Sequence, residues 1–396
     1  MKKNISLYYL AKLFYFPTFW LAFIFIYLTE FRGLNEVSAL TLLGLQEFLL
    51  IFLEIPTGAV ADRISRKFSC ALGNILIFLP LALLPFANGY WQFVLIFVVK
   101  AIGRALTSGA DKSILYDTLV DLDLTKDYRK IVTRSFALAF GFAAISIYIG
   151  GLFVKYGHIE WTFYASLPFA MVTSIAFLLM KEPEVTKKAI KMQESNYLRH
   201  IGQALRYTFT TKRIFALILF LSVADGIAVQ LKWFYTPVFT AINLDIAAIG
   251  GITANLYVVK SFSAGTVEKI VDKFDPLPTV RYSAFVLMSV FAVMAVYLGF
   301  IPVVVGFVVI SIAIAAMIVS AETLIQEQVS SHHRATVLSS INLVSSVIAT
   351  GSLMIFGFLQ TYANVRASLL SISLLFGITW VVVKKFQKKT TEKLLV

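Results

Sequence analysis

Residues 58–67 read GAVADRISRK. An acid and three bases, Asp62, Arg63, Arg66 and Lys67, fall within six positions directly behind one of the most apolar runs of the chain. A charged turn between two helices explains the bases. It explains neither the acid nor Gly58, so the stretch is either a plain connection or a moving part, and its flanks decide which.

Those flanks are membrane. Of 396 residues, 59% are hydrophobic and 14% charged, with 35 Phe and a mean hydropathy of +0.81. A soluble chain of this length needs more charge to cover its surface, so the class is integral membrane protein. The single cysteine, Cys70, excludes disulfides within the chain and a cysteine metal cluster. The start, MKKNISLYYLAKLFYFPTFWLAF, is basic then apolar without a small-residue cleavage site, and is expected to remain as a first span.

Crossing a ~30 Å hydrocarbon layer takes roughly 20 apolar residues. About twelve segments qualify, near 5–29, 36–61, 68–88, 91–119, 133–155, 160–180, 214–240, 242–267, 279–299, 302–326, 335–360 and 365–383. With both termini cytoplasmic, 26 of the 35 Lys and Arg fall on the inside, against Arg32, Lys155 and Arg366 outside. The other six, Lys12, Lys100, Arg104, Lys112, Lys232 and Lys260, lie within spans. This asymmetry is the positive-inside pattern. The net charge of +13 is therefore topology, with anionic lipid headgroups as partner and no call for nucleic acid.

Between the sixth and seventh spans, 33 polar or amphipathic residues run from Lys181 to Arg213. The expected organisation is an N-terminal six-helix bundle at 1–180, a cytoplasmic linker at 181–213, and a C-terminal six-helix bundle with a cytoplasmic tail at 214–396. The linker is either flexible or, over NYLRHIGQALRYTF, an amphipathic helix at headgroup level. The halves echo one another. GAVADRISRK after the second span is matched by GTVEKIVDK (265–273) after the eighth, and Ala110-Asp111 by Ala321-Glu322. Two six-helix repeats are a recurrent transporter plan.

Twelve spans, a cytoplasmic middle loop and GAVADRISRK at the second-to-third turn together resemble the major facilitator superfamily. The family signature is Gly, three residues, Asp, a base, any residue, Gly and two bases. Gly58, Asp62, Arg63, Arg66 and Lys67 match it, and Ser65 stands at the second Gly. The resemblance implies an all-α membrane protein with two pseudo-symmetric six-helix bundles, the major facilitator fold. It also implies that Asp62 clamps the cytoplasmic side in the outward-facing state. Elementary physics allows this, because a carboxylate suits a helix N-terminus, and the eleventh span begins at SSHHRATVLSS, where Ser330 or Ser331 can cap. Either Arg63 or Arg66 can pair with Asp117 at the end of the fourth span.

Charges at mid-bilayer cost at least ~2.5 kcal/mol each, and so line cavities or pair. Lys100, Arg104 and Asp111 follow one another at intervals of 4 and 7, which on a straight helix places them within roughly 40° of one another. Arg104 fits the family's fourth-helix base, linked to substrate binding or proton transfer, although Gly109 comes one position late for that pattern; pairing with a carboxylate elsewhere is the structural alternative. Glu47, Glu54, Asp111, Asp225 and Glu322 are candidate proton carriers, since burial raises a carboxyl pKa and a nearby base lowers it. Asp225, with Lys232 seven residues on, is the strongest of these. Glu54 suits a gating or structural role as well.

Tyr8, Tyr15, Trp20, Trp233 and Tyr235 can stack on a flat or cationic ligand, or form core and interface belt. In SIYIGGLF, Gly150 and Gly151 stand where family antiporters carry Gly-Gly, but Ile147 replaces the usual Pro. Small residues there also permit close helix packing.

The four histidines lie in loops or helix ends, and HExxH, GxSxG and phosphate-cradling glycine loops are absent from the sequence. An enzyme, a cofactor and a metal site are not expected. The expectation is a monomeric multi-pass protein of the cell membrane that moves a small-molecule substrate by alternating access. Two readings stand open: proton-coupled efflux of drugs or other amphiphiles by an antiporter-like protein, or proton-coupled import of a small polar or anionic solute held by Lys100, Arg104 and Lys232. A non-transporting receptor is the third.

Overall fold

Ser65, the residue that departs from the signature glycine, starts the third span. Its Oγ accepts from Phe68 N at 3.3 Å and so caps the helix that follows, satisfying one of the amides a helix start leaves open.

The computed structural model describes residues 1–63, 65–183, 212–271, 273–328 and 331–394. All regular structure among them is helical. In chain order the helices are α1 (Lys2–Leu13), α2 (Ile24–Ile26, continued by a π turn to Phe31), α3 (Glu36–Arg63), α4 (Arg66–Phe78), α5 (Tyr90–Thr107), α6 (Ala110–Val120), α7 (Tyr128–Lys155), α8 (Trp161–Tyr164) and α9 (Leu167–Leu179). Beyond the linker come α10 (Lys212–Ala241), α11 (Ile246–Val271), α12 (Pro276–Val296), α13 (Phe300–Gln328), α14 (Ser331–Tyr362) and α15 (Val365–Leu394). Among the described residues nine helical stretches are long and apolar enough to cross a membrane. The discontinuous first segment, α10 and α11 occupy the other three expected positions.

The first and fourth spans depart from the straight helices their hydropathy implies. In the first, α1 stops at Leu13, and residues 14–23, around Pro17, leave the helical path. Proline cannot donate and clashes with the preceding turn, but a break inside a membrane still needs partners for the freed backbone groups. They come from α7 and the turn before α9: Thr18 N donates to Ser146 Oγ at 3.2 Å, and Ser166 Oγ donates to Pro17 O at 2.6 Å. Gly150 completes the seat, since a Cβ there would lie 2.0 Å from Phe19 O.

The second break lies in the fourth span. Gly109 has φ +75°, a left-handed conformation open to glycine at little cost, and it separates α5 from α6. This corrects the straight-helix expectation for Lys100, Arg104 and Asp111. The first two share α5, whereas Asp111 opens a new helix whose direction is set by the turn at Ser108–Gly109.

Packing gathers the described residues into two compact units, each drawing on both sequence halves. The first takes its residues from Met1–Leu34, Leu45–Glu194 and Leu244–Phe262; the second takes them from Asn35–Gly44, Ser195–Asn243 and Ser263–Val396. Within the first, α11 meets α7 glycine to glycine: a Cβ on Gly250 would stand 3.1 Å from Gly151 Cα and 2.6 Å from the Phe23 ring. Within the second, a Cβ on Gly357 would stand 3.0 Å from Leu40, and one on Gly226 2.8 Å from Ser345 O. Helices in lipid associate by van der Waals fit rather than by a hydrophobic gain, so such small-residue seats decide which helices touch.

Candidate functional site

The first unit has an apolar core at its N-terminal end, where Leu7, Tyr8 and Ala11 of α1 meet Ala110 and Ile114 of α6 and Phe177 of α9. One ion pair sits at its edge. Lys12 Nζ donates to Asp111 Oδ2, and the two residues are 1% and 6% exposed. Three rings surround the ammonium: its nitrogen lies 3.9 Å from the Tyr15 centroid and 5.5 Å from those of Tyr8 and Phe136. Aromatic faces suit a desolvated cation.

The second Asp111 oxygen accepts from Lys112 N at 2.7 Å, in the first turn of α6. A carboxylate at a helix N-terminus is favoured by the exposed amides and the dipole. The Gly109 break therefore does two things at once: it aims Asp111 at Lys12 and supplies the amide end that holds its charge.

Arg104 is half-buried on α5, where its carbonyl accepts from Thr107 Oγ1 at 2.9 Å. Lys100 is 4% exposed, its nitrogen 4.7 Å above Trp20 and 5.5 Å above Phe97. The unwound part of the first span thus has protein cations at both ends, at Tyr15 and at Trp20. These are the aromatic residues expected to receive a cationic ligand, and the described cations on them are lysines of the chain itself.

Where α4 begins and α6 nears its end in the same unit, Arg66 Nη1 donates to Asp117 Oδ2, one of the two pairings the sequence left open; the Arg63 side chain lies outside the described residues. Glu182, just past the sixth span, docks on the start of α4, accepting from Ser65 Oγ at 2.8 Å and Arg66 N at 2.9 Å. Lys67 Nζ answers by donating to Leu178 O at 3.3 Å and Met180 O at 3.1 Å at the end of α9. Each helix end receives the charge its dipole prefers. Asn4 adds a further tie, donating to Thr118 Oγ1 at 3.1 Å and Lys181 O at 2.8 Å.

The other expected residues fall elsewhere. Glu47, 5% exposed, accepts from Gln46 Nε2 at 3.3 Å. Asp225 and Lys232, both half-buried on α10, belong to the second unit. There the Lys232 ammonium lies 5.0 Å from the Trp233 ring, and Tyr235 packs edge-on against Phe307 at 4.8 Å. Glu54, Gly58, Asp62, Arg63 and Glu322 have side chains outside the described residues, as does the amphipathic stretch of the linker; Ser330 lies outside them too. Among the described residues no three His, Cys, Asp or Glu side chains gather as metal ligands.

Sequence reasoning missed Lys12 as a site residue. A signal was present: it is the one charge between Lys3 and Glu30, with Tyr8 four residues before it and Tyr15 three after. It missed Glu182 and Asn4, whose partners are more than 100 residues away.

The family model of the Major Facilitator Superfamily matches residues 5–353. Among solved structures, the nucleoside transporter NupG is similar at 15% identity, covering 98% of this chain and 98% of its own, with a TM-score of 0.73. A D-xylose-proton symporter reaches 13% identity, 96% of both chains and a TM-score of 0.74. A bacterial homolog of the human lysosomal transporter Spinster, inward-facing and unoccupied, reaches 16% identity, 98% of this chain and 96% of its own, with a TM-score of 0.73. At such identities these likenesses show the shared fold. A sequence comparison with curated proteins finds no match.

Proposed function

The chain belongs to the major facilitator superfamily, and on that premise we propose that it carries small amphiphilic solutes across the cell membrane by alternating access, coupled to protons through Lys12 and Asp111. The observation that supports this most is the buried pair itself. A carboxylate and an ammonium taken out of water are costly to separate, so a proton or solute that replaces one partner as access changes acts directly on the other.

The chemistry of the pair links the sign of the solute to the direction of coupling. Protonation of Asp111 leaves the Lys12 charge, with Arg104 nearby, uncompensated. An anionic solute then binds in the protonated state and travels with the proton. A cationic solute instead competes with the proton for the carboxylate and is exchanged for it. The efflux and import readings differ in this one respect.

The turn at GAVADRISRK is the cytoplasmic latch in this reading, with Gly58, Asp62 and Arg63 as its working residues and Arg66–Asp117 as its anchor. Glu182 and Lys67 tie that anchor to the start of the linker. The protein works as a monomer with both termini in the cytoplasm, and Asp225, Glu47, Glu54 and Glu322 are secondary proton-carrier candidates. The test is proton movement across proteoliposomes containing a pH-sensitive dye, driven by a panel of solutes. Asp111→Asn is expected to abolish solute-driven proton flux while leaving solute counterflow; flux of undiminished size in Asp111→Asn would refute the coupling role.

A further inference from the structure

The first unit carries a run of aromatic rings beyond the Lys12 cage. Tyr15 meets Phe16 at 4.9 Å, Phe16 stacks on Phe140 at 6.0 Å with only 5° between planes, Phe140 stacks on Phe136 at 6.1 Å, and Phe140 meets Tyr257 edge-on at 6.1 Å. Five rings from the first span, α7 and α11 thus form one continuous surface.

Its position on α7 argues against both lipid and core. The exposed residues Leu138, Ile145, Tyr148 and Leu152 mark one side of that helix. Phe136 and Phe140 point about 160–200° away from Leu138 at ~100° per residue, yet both are half-exposed. Side chains on the opposite face that remain accessible leave their rings open to a ligand.

Cations edge this surface. Lys112 Nζ lies 5.9 Å from the Phe136 centroid and is exposed, and Lys260 Nζ lies 4.8 Å from Tyr257. Flat apolar rings bordered by basic groups suit one ligand chemistry: a planar ring for the aromatic faces and an anionic group for the ammonium ends.

We infer that the substrate is a planar organic anion, its ring lying on Phe16, Phe140 and Phe136 and its carboxylate, sulfonate or phosphate held by Lys112 and Lys260. This rests on the transporter reading and names the solute for it. The ring–ring contact selects planarity, and the charged contacts select sign. By the coupling argument above, such a solute moves together with the proton.

The test is direct binding of three matched probes to the full chain in lipid nanodiscs: 2-naphthoate, its neutral amide and 2-naphthylmethylammonium. Naphthoate is expected to bind, with the amide about tenfold weaker and the ammonium weaker still. Lys112→Gln and Lys260→Gln should each weaken naphthoate several-fold, and Phe140→Leu should reduce the preference for naphthoate over cyclohexanecarboxylate. Lys155→Gln, at the far end of α7, should change nothing. Melting curves separate misfolded variants from binding-defective ones. An ammonium probe that binds as well as naphthoate, or well-folded lysine variants that bind naphthoate like the parent, would overturn the inference. The two readings fail separately: naphthoate binding without any proton-coupled flux defeats the coupling proposal alone, and proton flux driven only by the cation defeats the anion inference alone.

Discussion

Gly150 and Gly151 are adjacent and look equivalent in SIYIGGLF, but their surroundings differ enough to set opposite outcomes for one methyl group. A Cβ on Gly150 would lie 2.0 Å from Phe19 O, 2.9 Å from Phe19 C and 3.2 Å from Phe19 Cα, whereas a Cβ on Gly151 would meet nothing closer than 3.7 Å. For Gly150→Ala the unwound segment must move by more than an ångström, because its close neighbour is backbone and has no rotamer to change. That movement strains the bonds from Thr18 N to Ser146 Oγ and from Ser166 Oγ to Pro17 O. Two hydrogen bonds at about 1 kcal/mol each, with an overpacking cost of about 1–3 kcal/mol, give a loss of roughly 3–5 kcal/mol. Gly151→Ala should be neutral or stabilising by up to ~1 kcal/mol, since alanine is the better helix former. Thermal unfolding in detergent and substrate counterflow in liposomes read both. Equal stability and equal counterflow in the two variants would refute the claim that the first span is held open by α7.

Three other substitutions probe the remaining contacts. Removing one member of the Lys12–Asp111 pair, as in Lys12→Met or Asp111→Leu, should cost about 3–5 kcal/mol by stranding a buried charge. The double variant should melt closer to the parent yet show no proton-driven transport, and a double variant no more stable than either single one would argue against the pair. Gly109→Ala meets no neighbouring atom within 4 Å, so its cost should be the left-handed backbone alone, about 1–2 kcal/mol, visible as a lower melting temperature and weaker proton coupling; unchanged coupling would remove the break from the mechanism. Glu182→Ala takes away the carboxylate bound to Ser65 and Arg66 N and should lose about 1 kcal/mol, with faster proteolysis near residue 182 as the readout; an unchanged cleavage rate would count against that dock.

The residues explain why some of this was legible beforehand. Hydropathy reports which stretches leave water, so the spans and the charged turn at 58–67 follow from composition and order. Arg66 beside Asp117 was within reach for a similar reason, because both lie at the ends of spans that hydropathy delimits. Lys12 was harder. Its partner Asp111 lies 99 positions away, and nothing in the first span states which side chain of the fourth will face it.

By itself the sequence determined the class of the protein, the number of crossings and the resemblance at GAVADRISRK, because these depend on transfer of side chains between water and lipid and on short-range order. Only tertiary structure decided where the first and fourth spans break, which glycine of a pair bears on a backbone carbonyl, and that Asp111 meets Lys12 among aromatic rings. Apolar composition is the same for a straight helix and an unwound one. The difference lies in whether distant hydroxyls and a missing Cβ stand ready to satisfy the freed backbone, and that is a property of how the helices meet.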